Sequence, residues 1–201
     1  MNTQDKNPRH GGRILADALV AQGVTMAFGV PGESFLPLLD GLHDVTDRLK
    51  FVACRQEGGA SYMADAYGKL TGRPGVLMVT RGPGATNGSV GVHTAFQDST
   101  PMVVLIGQVS TAMAEREAFQ EIDYRRMFGP LAKWVAQIDR IDRIPEFISR
   151  AFHTAMAGRP SSWISRSWPV PATMRWGGRS GGRWSAWTRR SPSNNLPSGR
   201  R

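Results

Sequence analysis

Apolar residues recur along the first 160 positions with two alternating periods. Between 12 and 22, Ile14, Leu15, Ala18 and Leu19 share one face of a 3.6-residue repeat, and Gly23 supplies a helix stop. A short apolar run over 24–29 then predicts a strand, Val30, Pro31 and Gly32 a turn, and 33–42 a helix carrying Phe35, Leu38, Leu39 and Leu42, with Pro37 in its first turn. The same signals repeat as a strand over 49–54, a helix over 57–70 packing Ala60, Met63, Ala64 and Tyr67, a turn over 71–74 and a strand over 76–80. A Gly-Pro-Gly loop follows at 82–84, then a helix over about 85–96, a continuous apolar strand over 102–106, a strand over 133–138 and a helix over 145–156.

Strands that alternate with helices predict an α/β fold: a doubly wound, mostly parallel sheet flanked by helices on both faces. Five strands are predicted, and the helix over 145–156 still awaits the strand it should lead to. In such sheets ligands bind beyond the carboxyl ends of the strands. Strands 49–54 and 76–80 would therefore deliver Glu57 and the 82–87 loop to one crevice.

Composition changes the picture at Pro160. Residues 161–201 hold eight arginines, nine serines and five of the six tryptophans, with no Asp, Glu or Lys. The first 160 residues carry 17 basic against 16 acidic side chains, so nearly all of the net +9 belongs to this tail. The expected organisation is a flexible N-terminus over 1–8, one domain over 9–160 and an irregular basic tail over 161–201. Arginines that neutralise phosphates and tryptophans that stack on bases make nucleic-acid binding by the tail the alternative function. No apolar run approaches the roughly 20 residues of a membrane span, and the N-terminus lacks a signal peptide's apolar segment, so a cytoplasmic protein without a membrane partner is expected. Cys54, the single cysteine, reads as a small buried apolar residue. The four histidines show neither metal-ligand spacing nor a nucleophile to activate.

Glu57, just past a strand at the first turn of a helix, is placed either to cap that helix or to exchange a proton with a bound heterocycle. Gly58, Gly59, Ala60 and Ser61 leave room for a flat group to approach the backbone, which favours the second role. By pattern alone the Pro-Gly turn reads more often as structural, the connection from Thr80 to Asn87 as a strand-to-helix link with Asn87 as a local cap, and the loop around Gln120 as exposed. The Gly-rich loop lacks the Lys-Ser or Lys-Thr ending of a Walker phosphate cradle.

The series RQEGGASYMADAYGKLTGRPGVLMVTRGPGATN, with FGVPGES upstream and DSTPMVVLIGQV and AFQE downstream, resembles the N-terminal pyrimidine-binding domain of thiamine-diphosphate enzymes, nearest to acetolactate synthase. The resemblance covers about residues 9–160. It implies thiamine diphosphate as cofactor, with Glu57 hydrogen-bonded to a nitrogen of the aminopyrimidine ring. It places Val30, Pro31 and Gly32 beneath the ring, Thr80, Pro83 and Asn87 around it, and Gln120 near the reacting carbon. Glu33 and Ser34 replace the Gly-Ala of many acetolactate synthases, and Arg81 replaces the Ser of TSGPGATN. The substrate implied is a 2-oxo acid such as pyruvate, and the complete enzyme a homodimer or tetramer. In the family a separate domain with a Gly-Asp-Gly motif holds the diphosphate and magnesium; no Gly-Asp-Gly occurs in these 201 residues. The expectation is an amino-terminal fragment of a carboligase or decarboxylase, inactive alone. A small α/β module for another nucleotide-like cofactor, such as flavin, is compatible with the sheet edge alone.

The family's strand after Gly-Arg-Pro, of the type Pro-Val-Val-Leu-x-x-Pro, is replaced here by SSWISRSW. One permitted back-translation from Pro160, regrouped two bases along, reads Val-Val-Leu-Asp-Leu-Pro-Glu-Leu. Trp has a single codon and Ile begins AT, so Leu, Met or Val followed by Asp is forced at 163–164. The tail is thus expected to be a frameshifted reading, leaving the sheet with an unpaired edge where its sixth strand belongs.

Overall fold

Continuous apolar runs become the central strands because both of their faces are covered. The computed structural model describes residues 9–157 in full and the backbone of 161–165. In chain order the elements are α1 Gly11–Ala21, β1 Met26–Gly29, α2 Leu36–His43, β2 Lys50–Ala53, α3 Glu57–Thr71, β3 Gly75–Val79, α4 Pro83–Asp98, β4 Met102–Ile106, α5 Tyr124–Phe128, β5 Gln137–Ile138, α6 Ile144–Met156 and β6 Ser161–Ser165. Every residue of β3 and β4 is buried. Val76, Met78, Val103 and Leu105 point to a core shared with α1, α2 and α6. Leu77, Val79, Val104 and Ile106 point to a second core with α3, α4 and α5. The strand order is β2-β1-β3-β4-β6-β5, and each described pairing is parallel. This is the doubly wound α/β sheet that the alternating periods predict.

Local chemistry sets the ends. Gln56, rather than the acid beside it, caps α3: its side-chain oxygen accepts the Gly59 N–H at 3.0 Å. Gly72, at φ +66°, ends the same helix in the left-handed conformation that glycine tolerates. Pro83 opens α4 at the position where a missing N–H costs nothing. The helix expected over 33–42 divides into a 3-10 turn, Glu33–Phe35, and α2. The strand expected over 133–138 shortens to two residues.

α3 and α4 cross closely because small residues meet there. Ser61 donates its hydroxyl to Gly58 O at 2.7 Å and accepts the Gly91 N–H at 3.1 Å, so backbone of both helices shares one buried side chain. Farther along, Lys69 Nζ bridges Asp65 of α3 at 2.9 Å and Asp98 of α4 at 2.6 Å.

One expectation requires correction. The sheet does not stop at Pro160: Ser161–Ser165 forms β6, parallel to β4 on one side and to β5 on the other. Backbone pairing on both sides needs no particular side chain, so a polar SSWIS can occupy a slot that composition reserved for an apolar strand. The helix over α6 thereby has its following strand, and the unpaired edge expected there is filled. The expected flexible N-terminus and the basic tail beyond 165 lie outside the described residues.

Candidate functional site

β1 and β3 are neighbours, yet the helices that follow them pack on opposite faces: α2 through Leu38 and Leu42 in one core, α4 through Ala85 and Val92 in the other. The chain therefore diverges at their carboxyl ends and opens the crevice in which α/β sheets bind ligands. Val30, Pro31 and Gly32 leave β1 at this point, and Thr80 leaves β3. The two turns touch. A Cβ on Gly32 would come within 2.8 Å of Thr80 Oγ1, so only glycine fits. Ser34 Oγ and Thr80 Oγ1 share a 2.8 Å hydrogen bond, and Ser34 Oγ also accepts the Arg81 N–H at 3.3 Å.

Glu57 reaches the same edge from the first turn of α3, half-buried. Asn87, one turn into α4, donates its side-chain amide to Glu57 Oε2 at 3.2 Å. The other carboxylate oxygen, Oε1, lies 3.4 Å from the place a Cβ on Gly84 would take, and Thr80 Cγ2 lies 2.7 Å from that same place. Gly84 is thus the floor that joins the Glu57–Asn87 pair to the β1/β3 turns. Pro83 and Asn87 are exposed at the rim. A carboxylate with one oxygen held by an amide and the other above a glycine suits a flat ring that offers a nitrogen to hydrogen-bond.

Gln120 arrives from the loop between β4 and α5. Its backbone, at φ +62°, lies against Gly82: a Cβ on Gly82 would come 2.6 Å from Gln120 O. Gly82 itself takes φ +52° at the N-terminus of α4. All eight sequence-predicted residues therefore fall on one continuous edge, with Glu57 and Asn87 paired directly and Gln120 held beside the Gly-Pro-Gly turn.

Several contacts at this edge were not anticipated. Tyr124, the first residue of α5, is buried and its phenol oxygen accepts the Gly82 N–H at 2.7 Å. Asp123 caps α5 by accepting the amides of Arg125 at 3.0 Å and Arg126 at 3.2 Å, so an Asp before YRRMF was the available signal for that helix. Arg81 forms an ion pair with Glu33 and donates Nε–H to Phe119 O at 2.9 Å.

Burial pushes the Tyr124 hydroxyl up to about 12, against the hydrogen bond from Gly82 and the charge of Arg81, which pull it down. The unfolded reference is about 10. Between these values the folded state holds a proton that the unfolded state releases, so this contribution is complete below pH 10 and is lost as pH rises towards 12. The difference in urea midpoint between the parent and Tyr124→Phe is expected to shrink over that interval; a constant difference would contradict the linkage.

Elsewhere, an open groove of about 290 Å³ lies at the opposite, amino edge, lined by Gln22, Tyr67, Arg73, His153 and others, and no predicted site residue reaches it. Among the described residues no cluster of three His, Cys, Asp or Glu could hold a metal ion, and no helix is long and apolar enough to cross a membrane.

The family model described as thiamine pyrophosphate enzyme, N-terminal TPP binding domain, matches residues 9–127. The chain is 42% identical over 150 residues to the mitochondrial acetolactate synthase catalytic subunit of Aspergillus candidus, covering 75% of this chain and 22% of that one. It is 41% identical over 150 residues to the acetolactate synthase isozyme 3 large subunit of Escherichia coli, covering 75% and 26%. With the acetolactate synthase of Bacillus subtilis the figures are 38% over 149 residues, 74% and 26%. The chain spans about a quarter of the length of these relatives. A domain-wide match over the sheet edge that gathers Glu57, Asn87 and the Gly-Pro-Gly turn shows that this chain belongs to the thiamine pyrophosphate enzymes, as an N-terminal TPP-binding domain of the acetolactate-synthase type.

Proposed function

We propose that Glu57 holds a ring nitrogen of the thiamine diphosphate aminopyrimidine at the β1/β3 edge, on behalf of a carboligase or decarboxylase acting on 2-oxo acids such as pyruvate. The observation that carries this reading is the Glu57 carboxylate, fixed through Oε2 by Asn87 and set with Oε1 over the Gly84 floor. Bound thiamine diphosphate supplies a nucleophilic carbon for attack on a 2-oxo acid. Glu57 would hold and return a proton at the ring nitrogen, and Asn87 keeps the carboxylate oriented for it. Val30, Pro31 and Gly32 would support the ring from β1, Thr80 and Pro83 from the β3 turn, and Gln120 would face the reacting carbon. Magnesium and the diphosphate would be held by a domain outside these 201 residues, in a cytoplasmic homodimer or tetramer, so the chain alone is expected to show no turnover.

Calorimetry tests the reading on the chain as it stands. Thiamine diphosphate is expected to bind weakly and to lose about tenfold in affinity in Glu57→Ala, the order of one charge-assisted hydrogen bond. Flavin mononucleotide is expected not to bind. Flavin binding more tightly than thiamine diphosphate, or thiamine binding indifferent to Glu57, would refute it.

A further inference from the structure

The loop that carries Gln120 closes on itself through Glu121, whose carboxylate accepts the Glu115 N–H at 2.7 Å and the Ala118 N–H at 3.1 Å. Those bonds give the loop a shape but do not place it on the fold. Downstream of Gln120 the placement comes from Gln108, which donates Nε2–H to Ile122 O at 3.1 Å, and from Tyr124 on Gly82. Upstream it comes from Arg81. Its side chain is 12% exposed, its Nε–H bonds Phe119 O at 2.9 Å, and its guanidinium lies 5.9 Å from the centre of the Phe119 ring. Its Nη2 is taken by the Glu33 carboxylate. Glu33 and Arg81 are 48 residues apart, and Ser34, whose Oγ accepts the Arg81 N–H, joins them; within the two turn motifs FGVPGES and TRGPGATN, these are the three positions that differ from the versions they resemble in many acetolactate synthases. They depart as one bonded unit.

We infer that Arg81, braced by Glu33, is a positioning residue for Gln120: it fixes the carbonyl one residue upstream and so sets where Gln120 stands over the Gly-Pro-Gly turn. This rests on the proposed role of that edge in cofactor binding. A guanidinium is suited to the task because its fixed fork serves a carboxylate and a carbonyl at once, which the single ammonium of lysine does not reproduce in the same geometry. Backbone at positive φ, as at Glu115, Glu117 and Gln120, persists only where surroundings over-determine it, so removal of one anchor releases the segment.

The test uses the 201-residue chain without cofactor, read by amide hydrogen exchange and by the side-chain amide resonances of Gln120. Arg81→Ser is expected to speed exchange over residues 115–121 by about tenfold while β3 and β4 change by less than about twofold. The Gln120 side-chain resonances move to their free-chain positions. Arg81→Lys, which keeps the charge opposite Glu33, is expected to behave like Arg81→Ser. Unchanged exchange in the loop, an increase shared equally by β3 and β4, or full retention of the parent pattern by Arg81→Lys would each overturn the inference. Because no ligand is added, these outcomes are separate from the calorimetric test of the cofactor reading.

Discussion

Glu57→Gln is expected to lower turnover by about 10²- to 10⁴-fold, the range of one general acid–base group, in a chimaera joining residues 9–157 to the remaining portion of the Escherichia coli relative. The substitution keeps the size of the side chain and an oxygen for the Asn87 amide, which donates to Glu57 at 3.2 Å in the parent. What it removes is the group that can take and return a proton. The loss should therefore fall on kcat with pyruvate, while affinity for thiamine diphosphate in the same chimaera changes by less than about tenfold. Equal turnover in parent and variant would remove Glu57 from the chemistry, and a loss confined to affinity would make it a binding residue only.

Gly91→Ala is expected to destabilise the fold by about 1–3 kcal/mol through overpacking, a large part of the margin of a small domain. Alanine is ordinarily the better helix former by about 1 kcal/mol, so space must decide the sign. A Cβ on Gly91 would come 2.6 Å from the backbone carbonyl carbon of Ser61, and backbone cannot step aside as a flexible side chain could. Gly59, on the neighbouring helix with nothing within 4 Å of its would-be Cβ, supplies the control: Gly59→Ala is expected to stabilise by about 0.5–1 kcal/mol. Urea midpoints at unchanged slope measure both. A Gly91→Ala chain as stable as the parent would mean that α3 and α4 can separate without cost.

Much of the fold was legible because burial on two faces leaves a plain signature. β3 and β4, apolar at every position, and the amphipathic α1 and α6 follow directly from the periodicity. β6 was not legible, because SSWIS has no apolar period and its strand character comes from hydrogen bonds to β4 and β5 that only the assembled sheet supplies. The gathering of Gly32, Thr80, Glu57 and Asn87 at one edge follows from strand direction together with the motif series. The Glu33–Arg81 pair had no local signal, since ion pairs across 48 residues leave no period; opposite charge at two positions that both depart from the family pattern was the clue available. Tyr124 was hidden for another reason. A tyrosine in a polar run reads as surface; its ring packs in the second core, and the Gly82 amide gives the buried hydroxyl its partner.

The position of β6 between β4 and β5 has a consequence for the ribosome-bound chain. β4 is synthesised early, but its neighbour on that side is the last described strand to be made. At 5–20 residues per second the interval between them is roughly 3 to 10 s. Throughout it, the β4 amides and carbonyls that will pair with 161–165 face no partner, beside side chains as apolar as Val103, Val104 and Leu105. Neighbouring nascent chains on one messenger present the same open strand to each other, and an unpaired apolar strand of this kind is a template for pairing between chains.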